Sequence, residues 1–217
     1  MAAVYNANNQ DVLFNLISNY AGVDNRGNNI VNNGDLVVAA EETFSGAPYA
    51  WVHSLYYTEN IYFSLVCSGA MHSCVLDGSN NRRIMAISGT GSGTMRLSGI
   101  HFKDGYPGNY NGGALYIYSS ALVSLVACKF SSNHAGSYGG AIYAKESGTA
   151  INLYLSYFDE NSASSGDDIS AEKSASVTVH STCPQDWSGT PESGSDLDTF
   201  ASSSSTLSGT TKSFGIG

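Results

Sequence analysis

Basic side chains are scarce in this sequence, as are charged side chains of any kind. Its 217 residues include 9 Lys and Arg against 18 Asp and Glu, so that 12% are charged and the formal net charge is −9. Nucleic acids and anionic membrane surfaces both attract clustered basic residues. The composition therefore argues against nucleic acid and against a charged lipid surface as partners of this chain.

Long apolar runs and secretion signals are also missing. No stretch approaches the ~20 consecutive apolar residues that a membrane-spanning helix needs, so no membrane span is predicted. Residues 1–5 have neither the basic residues nor the apolar core of a signal peptide. Export of the chain would therefore depend on a signal that has been removed.

The cysteines are few, and their spacing restricts what they can do. No C-x-x-C pair occurs among the four, which argues against a zinc site. Cys67 and Cys74 flank residues 68–73 and are able to close a small disulfide loop in an oxidising compartment. The alternative is two free thiols. Cys128 is predicted to be a small buried side chain, and Cys183 stands alone near the C-terminal end.

A register of 28 residues runs three times through the middle of the chain, aligning residues 95–102, 123–130 and 151–158. A repeat of 20–50 residues indicates a solenoid, a propeller or an array. Apolar residues alternate with polar ones within each unit, which is typical of a half-buried strand. A propeller blade needs about 40 residues, and leucine-rich repeats carry a different leucine pattern. The repeat therefore predicts an all-β fold, a parallel β-helix.

Stacked coils explain which residues recur. Equivalent side chains of successive coils lie ~4.8 Å apart, so recurring residues form ladders. Gly113 and Gly140 are expected where a corner needs positive φ or a close backbone approach. The predicted ladders are an aromatic one of Phe102, Phe130 and Phe158, an amide one of Asn133 and Asn161, and an aliphatic one of Leu115, Ile142 and Ile169.

Two motifs carry a family resemblance. G-G-A-[LI] occurs at residues 112–115 and 139–142, and F-x-x-N at 130–133 and 158–161. Together they resemble the repeats of chlamydial polymorphic outer membrane proteins, which belong to the wider right-handed β-helix, pectin-lyase-like group. The resemblance covers roughly residues 94–170. It implies a right-handed parallel β-helix, surface display and adhesion.

The two ends of the chain differ from the repeats. Residues 8–20 form an amphipathic pattern that predicts a helix, placed to cap the open N-terminal end of the β-helix. Roughly five or six coils are expected between residues 35 and 182, within a domain of residues 1–183. Residues 184–217 are rich in Ser, Thr and Gly and predict either a loose tail or a capping segment anchored by Trp187, Leu197 and Phe200.

The sequence contains candidate catalytic and metal-binding residues, but no complete set of either kind. The outward file of His101, Lys129 and Tyr157, with Asp104 nearby, is a candidate acid–base groove, although solvent-facing strand positions are usually just polar. Asp167 and Asp168 resemble the acidic pair of a polygalacturonase, yet they occupy the slot of a G-G-A repeat and are interpreted as a degenerate repeat. Asp159, Asp167 and Asp168 are also weak candidates for calcium. No cofactor is predicted.

Outward tyrosines form the candidate ligand or partner face. Exposed Tyr offers a large contact area with a polar group and little conformational entropy to lose, which suits glycans or proteins. The alternative is that Tyr, with its high β-propensity, simply decorates strands. The residues concerned are Tyr116, Tyr118, Tyr143 and Tyr154.

These patterns favour a noncatalytic module, extracellular or at the cell surface, that serves surface structure, adhesion or assembly. Its expected partner is a protein, a glycan or a second copy of itself. One alternative is a carbohydrate-active enzyme, either a polysaccharide lyase, a hydrolase or an epimerase. The other is a structural building block of a filament, coat or particle. A converging acid–base pair would favour the enzyme, and extensive self-contact would favour the building block.

Overall fold

The computed structural model describes residues 62–67, 70–89 and 93–180, and outside them only strand segments between residues 4 and 57 and between residues 205 and 214. The described residues are all-β and contain no helix. The helix predicted over residues 8–20 lies outside the described residues, as do Cys183, Trp187, Leu197 and Phe200. The described part of the fold therefore consists of strands and the turns that connect them.

Strands from successive coils build three long sheets, because each coil contributes one strand to each sheet. Sheet 1 has, in spatial order and among the described residues, β1 (Val4–Ala7), β4 (Asp35–Ala39), β7 (Tyr62–Cys67), β10 (Thr94–Ser98), β13 (Leu122–Val126), β17 (Ala150–Tyr154), β21 (Ser176–His180) and β22 (Ser205–Ser208). Sheet 2 has β5 (Thr43–Ser45), β8 (Cys74–Asp77), β11 (Ile100–Lys103), β14 (Lys129–Ser131) and β18 (Tyr157–Asp159).

The third sheet completes each coil. It has, again in spatial order, β2 (Gly22–Val23), β3 (Asn29–Ile30), β6 (His53–Tyr57), β9 (Met85–Gly89), β12 (Leu115–Tyr118), β16 (Ile142–Lys145), β20 (Ile169–Glu172) and β23 (Lys212–Phe214). A small sheet 4 joins β15 (His134–Tyr138) to β19 (Ser162–Ser165) between sheets 2 and 3. The chain thus passes from sheet 1 through sheet 2 to sheet 3 and then starts the next coil.

The number of coils differs from the sequence prediction. About four turns are described in full, from β7 to β20, rather than the five or six expected between residues 35 and 182. Strands β4, β5 and β6 pair in parallel on the N-terminal side of these turns, and β21 begins the next one. The repeat motif is strong only in the middle of the chain, so counting coils beyond it from sequence was not accurate.

The 28-residue register is the true register of the coils. Leu97 pairs with Leu125, which pairs with Leu153, and all three are fully buried. The rings of Phe102, Phe130 and Phe158 stack with centroids 4.9 and 5.0 Å apart and planes within 8° of parallel. Leu115, Ile142 and Ile169 are also in register and buried. The predicted internal ladders are therefore present.

Alternation breaks at the corner between sheets 1 and 2. Gly99, Ala127 and Leu155 occupy equivalent positions there, with φ of 69°, 49° and 49°. Left-handed backbone turns the chain sharply, so the alternation of the strand does not continue past this residue. As a result Val126 and Cys128 are both buried, whereas Leu155, which continues the apolar parity of its strand in the sequence, is only half-buried.

The two glycines of each G-G-A motif have different tasks. Gly112 and Gly139 adopt positive φ, of 67° and 65°, where a side chain is strained. A Cβ on Gly113 would lie 2.0 Å from the carbonyl oxygen of Gly140, so this position must stay bare for the next coil to stack. The close approach expected at Gly113 is thus observed, while positive φ belongs to its neighbour.

Candidate functional site

The candidate catalytic file lies on the outer surface of sheet 2. His101, Lys129 and Tyr157 occupy equivalent register positions on β11, β14 and β18, as their spacing predicts. The Nε2 atom of His101 is 2.7 Å from Oγ of Ser131, and the Nζ atom of Lys129 lies 5.4 Å from the centre of the Tyr157 ring. The structure thus brings the file together, and His101 and Lys129 each already have a neighbour on this surface.

Electrostatics make His101 a poor proton acceptor near neutral pH. Burial, followed by the positive charge of Lys129, lowers the pKa of His101 to about 4. A general base works best when its pKa lies near the working pH. His101 therefore stays neutral at pH 7, but it binds a proton too weakly to be an effective base.

Asp104, which directly follows β11, is paired with the last residue of that strand. Its carboxylate lies 3.0 Å from the Nζ atom of Lys103, and this hydrogen bond raises the pKa of Lys103. Asp104 also sits at a left-handed corner, with φ of 52°, so its backbone has a structural task. His101, Lys129 and Asp104 thus make contacts that are typical of side chains on the surface of a sheet.

The acidic residues near the C-terminal coil are held by hydrogen bonds within the coil. Oδ1 of Asp167 accepts the backbone N–H of Ala163 at 3.0 Å. Oδ1 of Asp168, which is buried, accepts the side-chain amide of Asn161 at 2.9 Å. The backbone carbonyl of Asp159 accepts the N–H of Ser132, from the preceding coil. Among the described residues no group of three or more His, Cys, Asp or Glu side chains is arranged to hold a metal ion.

Asp168 has a role that the sequence analysis missed. It provides an acceptor at the last step of the asparagine ladder, where Asn161 meets no further asparagine among the described residues. Both carboxylates of the degenerate motif at residues 166–168 thus accept hydrogen bonds that hold the bend of this coil. The 28-residue step did not point to this role, because Asn161 and Asp168 lie only seven positions apart.

A tyrosine cluster, Tyr116, Tyr118, Tyr138 and Tyr143, covers part of the outer surface of sheet 3. Tyr116 stacks on Tyr118 with ring centroids 4.8 Å apart and lies 5.3 Å from the ring of Tyr143. Tyr138 comes from sheet 4, and its ring is 6.2 Å from that of Tyr143. Contacts between the rings hold them in this arrangement.

Tyr143 forms the base of the cluster rather than its surface. Only 2% of it is exposed, and its hydroxyl donates to the carboxylate of Glu172 at 2.5 Å. Burial is the main reason why its pKa is raised, and the Glu172 hydrogen bond adds to the effect. The prediction of Tyr143 as a contact residue therefore needs correction, because its neighbours cover it; Tyr116 and Tyr118 remain half-exposed.

Arg83 completes the cluster and was not singled out from the sequence. Its guanidinium carbon lies 5.0 Å from the centre of the Tyr116 ring. Its Nε and Nη2 atoms donate to the carbonyl oxygens of Gly112 and Asn111, at 3.0 and 2.5 Å. The 28-residue step from Arg83 to Asn111 is the signal that would have indicated this contact. Tyr110, in the loop between β11 and β12, is 72% exposed.

Tyr154 belongs to a different surface. It lies on β17 of sheet 1, where its ring stacks on His180 with centroids 4.2 Å apart. The preceding members of its register file, Val126 and Ser98, are buried at the corner. The four predicted face residues are therefore divided between two sheets.

The predicted disulfide is present. Cys67, at the end of β7, is bonded to Cys74, at the start of β8, with Cα atoms 5.6 Å apart. The bond closes the turn from sheet 1 to sheet 2 in its coil. Cys128 is a free and fully buried thiol, and burial raises its pKa to about 12. It is therefore a small buried side chain of the core, as the sequence predicts.

No helix in the described part of the chain is long and apolar enough to cross a membrane. Comparison with known proteins gives one family match: residues 127–145 match the family model of the Chlamydia polymorphic membrane protein repeat. No curated protein and no solved structure matches the chain. The matched segment runs from the Ala127 corner through β14 and β15 to β16, and so includes F-x-x-N and the second G-G-A motif. The match and the stacked parallel coils confirm the resemblance: the described part of this chain is a parallel β-helix, and its residues 127–145 are similar to the repeat of the polymorphic membrane proteins.

Proposed function

We propose that this chain is a noncatalytic, surface-associated β-helix module, and that the tyrosine cluster on sheet 3 mediates adhesion. The observation that carries this proposal is a contrast between two surfaces. On sheet 2 the polar groups are paired with one another, and His101 is too weak a base for proton transfer near pH 7. On sheet 3 an aromatic surface is built and held in place.

The cluster suits contact with a partner for two physical reasons. Tyr side chains bury a large area and have few rotatable bonds, and here stacking has already fixed Tyr116 against Tyr118. Preorganised side chains lose less entropy when they bind. Arg83 and the exposed Tyr110 extend the surface towards the loop of residues 105–111, which adds hydrogen-bonding groups at its rim.

Surface location is supported by the kind of protein that the repeat resembles. The matching family is described as a membrane protein repeat of Chlamydia. A disulfide between Cys67 and Cys74 is also typical of oxidising, extracellular compartments. Both observations favour a location at or outside the cell surface.

Surface labelling tests the location. Intact cells that produce the protein are treated with a membrane-impermeant amine-reactive biotin, and lysed cells serve as the reference. Labelling of the chain in intact cells to a similar extent as in lysed cells is expected. Labelling only after lysis would contradict a surface location.

Adhesion is tested with beads that carry the purified chain and with surfaces that carry glycans or matrix proteins. Tyr116→Ala combined with Tyr118→Ala is expected to reduce bead retention at least tenfold, with β-sheet circular dichroism preserved. Tyr154→Ala is the matched control, because it removes the same kind of ring from sheet 1. Equal retention of the double variant and the unmodified chain would remove the tyrosine cluster from the proposal.

A further inference from the structure

Arg83 is a half-buried cation without an acidic partner in the described part of the chain. Its guanidinium lies over the ring of Tyr116, with the central carbon 5.0 Å from the ring centre. The ion pairs of the described residues involve Lys103 and Lys145, and none involves Arg83. Burial lowers the pKa of Arg83, whereas Tyr116 and Tyr118 act in the opposite direction. The charge has therefore lost part of its hydration without gaining a carboxylate.

One edge of this guanidinium is left for a ligand. The group carries five N–H donors. Nε donates to the carbonyl oxygens of Asn111 and Gly112, and Nη2 donates to that of Asn111, which leaves the Nη1–Nη2 edge without a partner among the described residues. The buried side-chain N and O atoms of these residues that lack a partner belong to Arg82 and Ser170, so solvent reaches Nη1 of Arg83. Two parallel N–H groups of this kind match the two oxygens of a carboxylate.

The charges around the tyrosine cluster favour a ligand with a single negative charge. Lys145, on the neighbouring strand β16, lies 3.9 Å from a carboxylate oxygen of Glu146 and is opposite Glu172 of β20 in the register. Arg83 is therefore surrounded by acidic groups rather than by further unpaired cations. The net charge of −9 also repels polyanions at long range. One carboxylate on an otherwise neutral ligand meets the least repulsion.

The position of the cluster on the face of sheet 3 favours a sugar over a peptide. The backbone groups of β12 are already paired with β9 on one side and with β16 on the other. A peptide lying on this face would find no strand partner for its own N–H and C=O groups, and each such group that becomes buried costs free energy. A pyranose ring has no backbone groups to satisfy. It can place its C–H bonds against tyrosine rings and its hydroxyls against tyrosine hydroxyls and water.

We propose that the tyrosine cluster and Arg83 together bind a terminal acidic sugar of a glycan, whose single carboxylate lies on the Nη1–Nη2 edge of Arg83. This inference rests on the proposed adhesion function and names the ligand class of the same surface. Tyr116 and Tyr118, both half-exposed, supply the contact area for the sugar ring, and Arg83 supplies the preference for an acidic sugar. A neutral sugar of the same size therefore binds much more weakly.

A comparison of ligands tests the proposal on the unmodified chain. Beads that carry the chain are applied to surfaces with polymer-linked sialyllactose, with its carboxylate methyl ester, and with lactose. Retention on sialyllactose should exceed retention on the other two surfaces at least tenfold, because only sialyllactose offers a charged carboxylate. Since the protein is the same throughout, this result does not depend on whether a variant folds. Equal retention on the three surfaces would overturn the proposal.

A substitution then assigns the carboxylate contact to Arg83. Arg83→Lys keeps the positive charge but removes the two parallel donors, so retention on sialyllactose should fall at least tenfold. Arg96→Lys, on β10 of sheet 1, is the matched control and should behave like the unmodified chain. Circular dichroism establishes that both variants keep the β-sheet fold. Unchanged retention of folded Arg83→Lys would overturn the proposal.

Immobilised peptides separate this inference from the adhesion proposal on which it rests. Two peptides that differ only in Glu against Gln are used beside the sugar surfaces. Retention on the Glu peptide, and none on sialyllactose, would assign the site to a protein partner and overturn the glycan inference. Adhesion would stand in that case, provided that Tyr116→Ala with Tyr118→Ala still lowers retention on matrix proteins. An unchanged retention of that double variant on every surface would remove both proposals.

Discussion

Asn133 lies directly below Asn161, one coil apart, and its side-chain Nδ2 donates to Oδ1 of Asn161 at 2.9 Å. Each asparagine also donates to a backbone carbonyl of the preceding coil: Asn133 to Phe102 and Asn161 to Phe130, both at 3.1 Å. Oδ1 of Asn133 accepts the N–H of Gly105. Side-chain amides thus supply hydrogen-bond partners for the buried backbone groups of the bend after sheet 2, because no neighbouring strand pairs with these groups.

Asn133→Ala is expected to destabilise the fold by roughly 2–5 kcal/mol, since the N–H of Gly105 and the carbonyl of Phe102 lose their partner and each buried unpaired group costs about 1–3 kcal/mol. Asn152→Ala is the control: its Oδ1 lies 2.9 Å from the Nε2 atom of His180 on the outer surface, where water replaces it. A loss below about 1 kcal/mol is expected for this control. Urea unfolding followed by circular dichroism measures both, and equal losses would contradict a special role for the ladder.

Leu125→Ala should cost roughly 2–5 kcal/mol, because it opens a cavity between Leu97 and Leu153 in the fully buried ladder. Ser124→Ala, at the adjacent outward position, should be nearly silent. Thermal unfolding of the two variants gives the comparison. A similar decrease in melting temperature for both would show that the inward parity of β13 had been assigned incorrectly.

The repeating part of the fold was predictable because stacking makes one coil constrain the next. Phe130 can be assigned to the core from Phe102 and Phe158 alone, since the register brings equivalent side chains together. Corners were not predictable in the same way: the left-handed conformation of Ala127 and Leu155 has no sequence signal, because neither residue favours positive φ.

The candidate site was less predictable, for a related reason. Period two places Tyr143 outward, and it is outward, but Tyr116 and Tyr138 from two other strands cover it. Whether an outward side chain is buried depends on how side chains from neighbouring coils and loops pack over it. The alternation of residues along one strand carries no information on that packing. The same limit applies to Asp168, whose partner Asn161 is set by the path of the bend.

Serine at both Cys67 and Cys74 should lower stability by about 2–3 kcal/mol, the loop-closure entropy expected for a short loop. The bond joins residues only seven positions apart, so this contribution is smaller than for a long loop. Thermal unfolding with and without reductant provides the test. Reductant should lower the melting temperature of the unmodified protein to that of the double variant and leave the variant unchanged; an equal shift in both would point to another cause.

The pKa of about 4 for His101 predicts a specific loss of stability in acid. The unfolded chain, with a histidine pKa of about 6.5, takes up the proton first as the pH falls. The contribution of neutral His101 is therefore complete above about pH 6.5 and declines as the pH falls towards 4. His101→Gln should lose less melting temperature than the unmodified protein between about pH 7.5 and 4.5.

His134→Gln is the matched control for this pH dependence, since exposed His134 also contacts a serine hydroxyl of the next coil, Oγ of Ser162, at 2.7 Å. Melting temperatures of the three proteins across the pH range make the comparison. An unchanged acid sensitivity in His101→Gln would mean that His101 does not titrate below its ordinary pKa.

Polyuronates should not be turned over by this chain, with or without calcium. Eliminative cleavage or epimerisation needs a base that removes the proton next to a carboxylate, and His101 binds a proton too weakly for this near pH 7. Lys129 faces the ring of Tyr157, and Asp104 is paired with Lys103. With a net charge of −9, the chain also repels polyanions at long range. Incubation with pectin and alginate, followed by product analysis, tests this, and turnover abolished by Lys129→Ala or Asp104→Asn would make an enzyme the better interpretation.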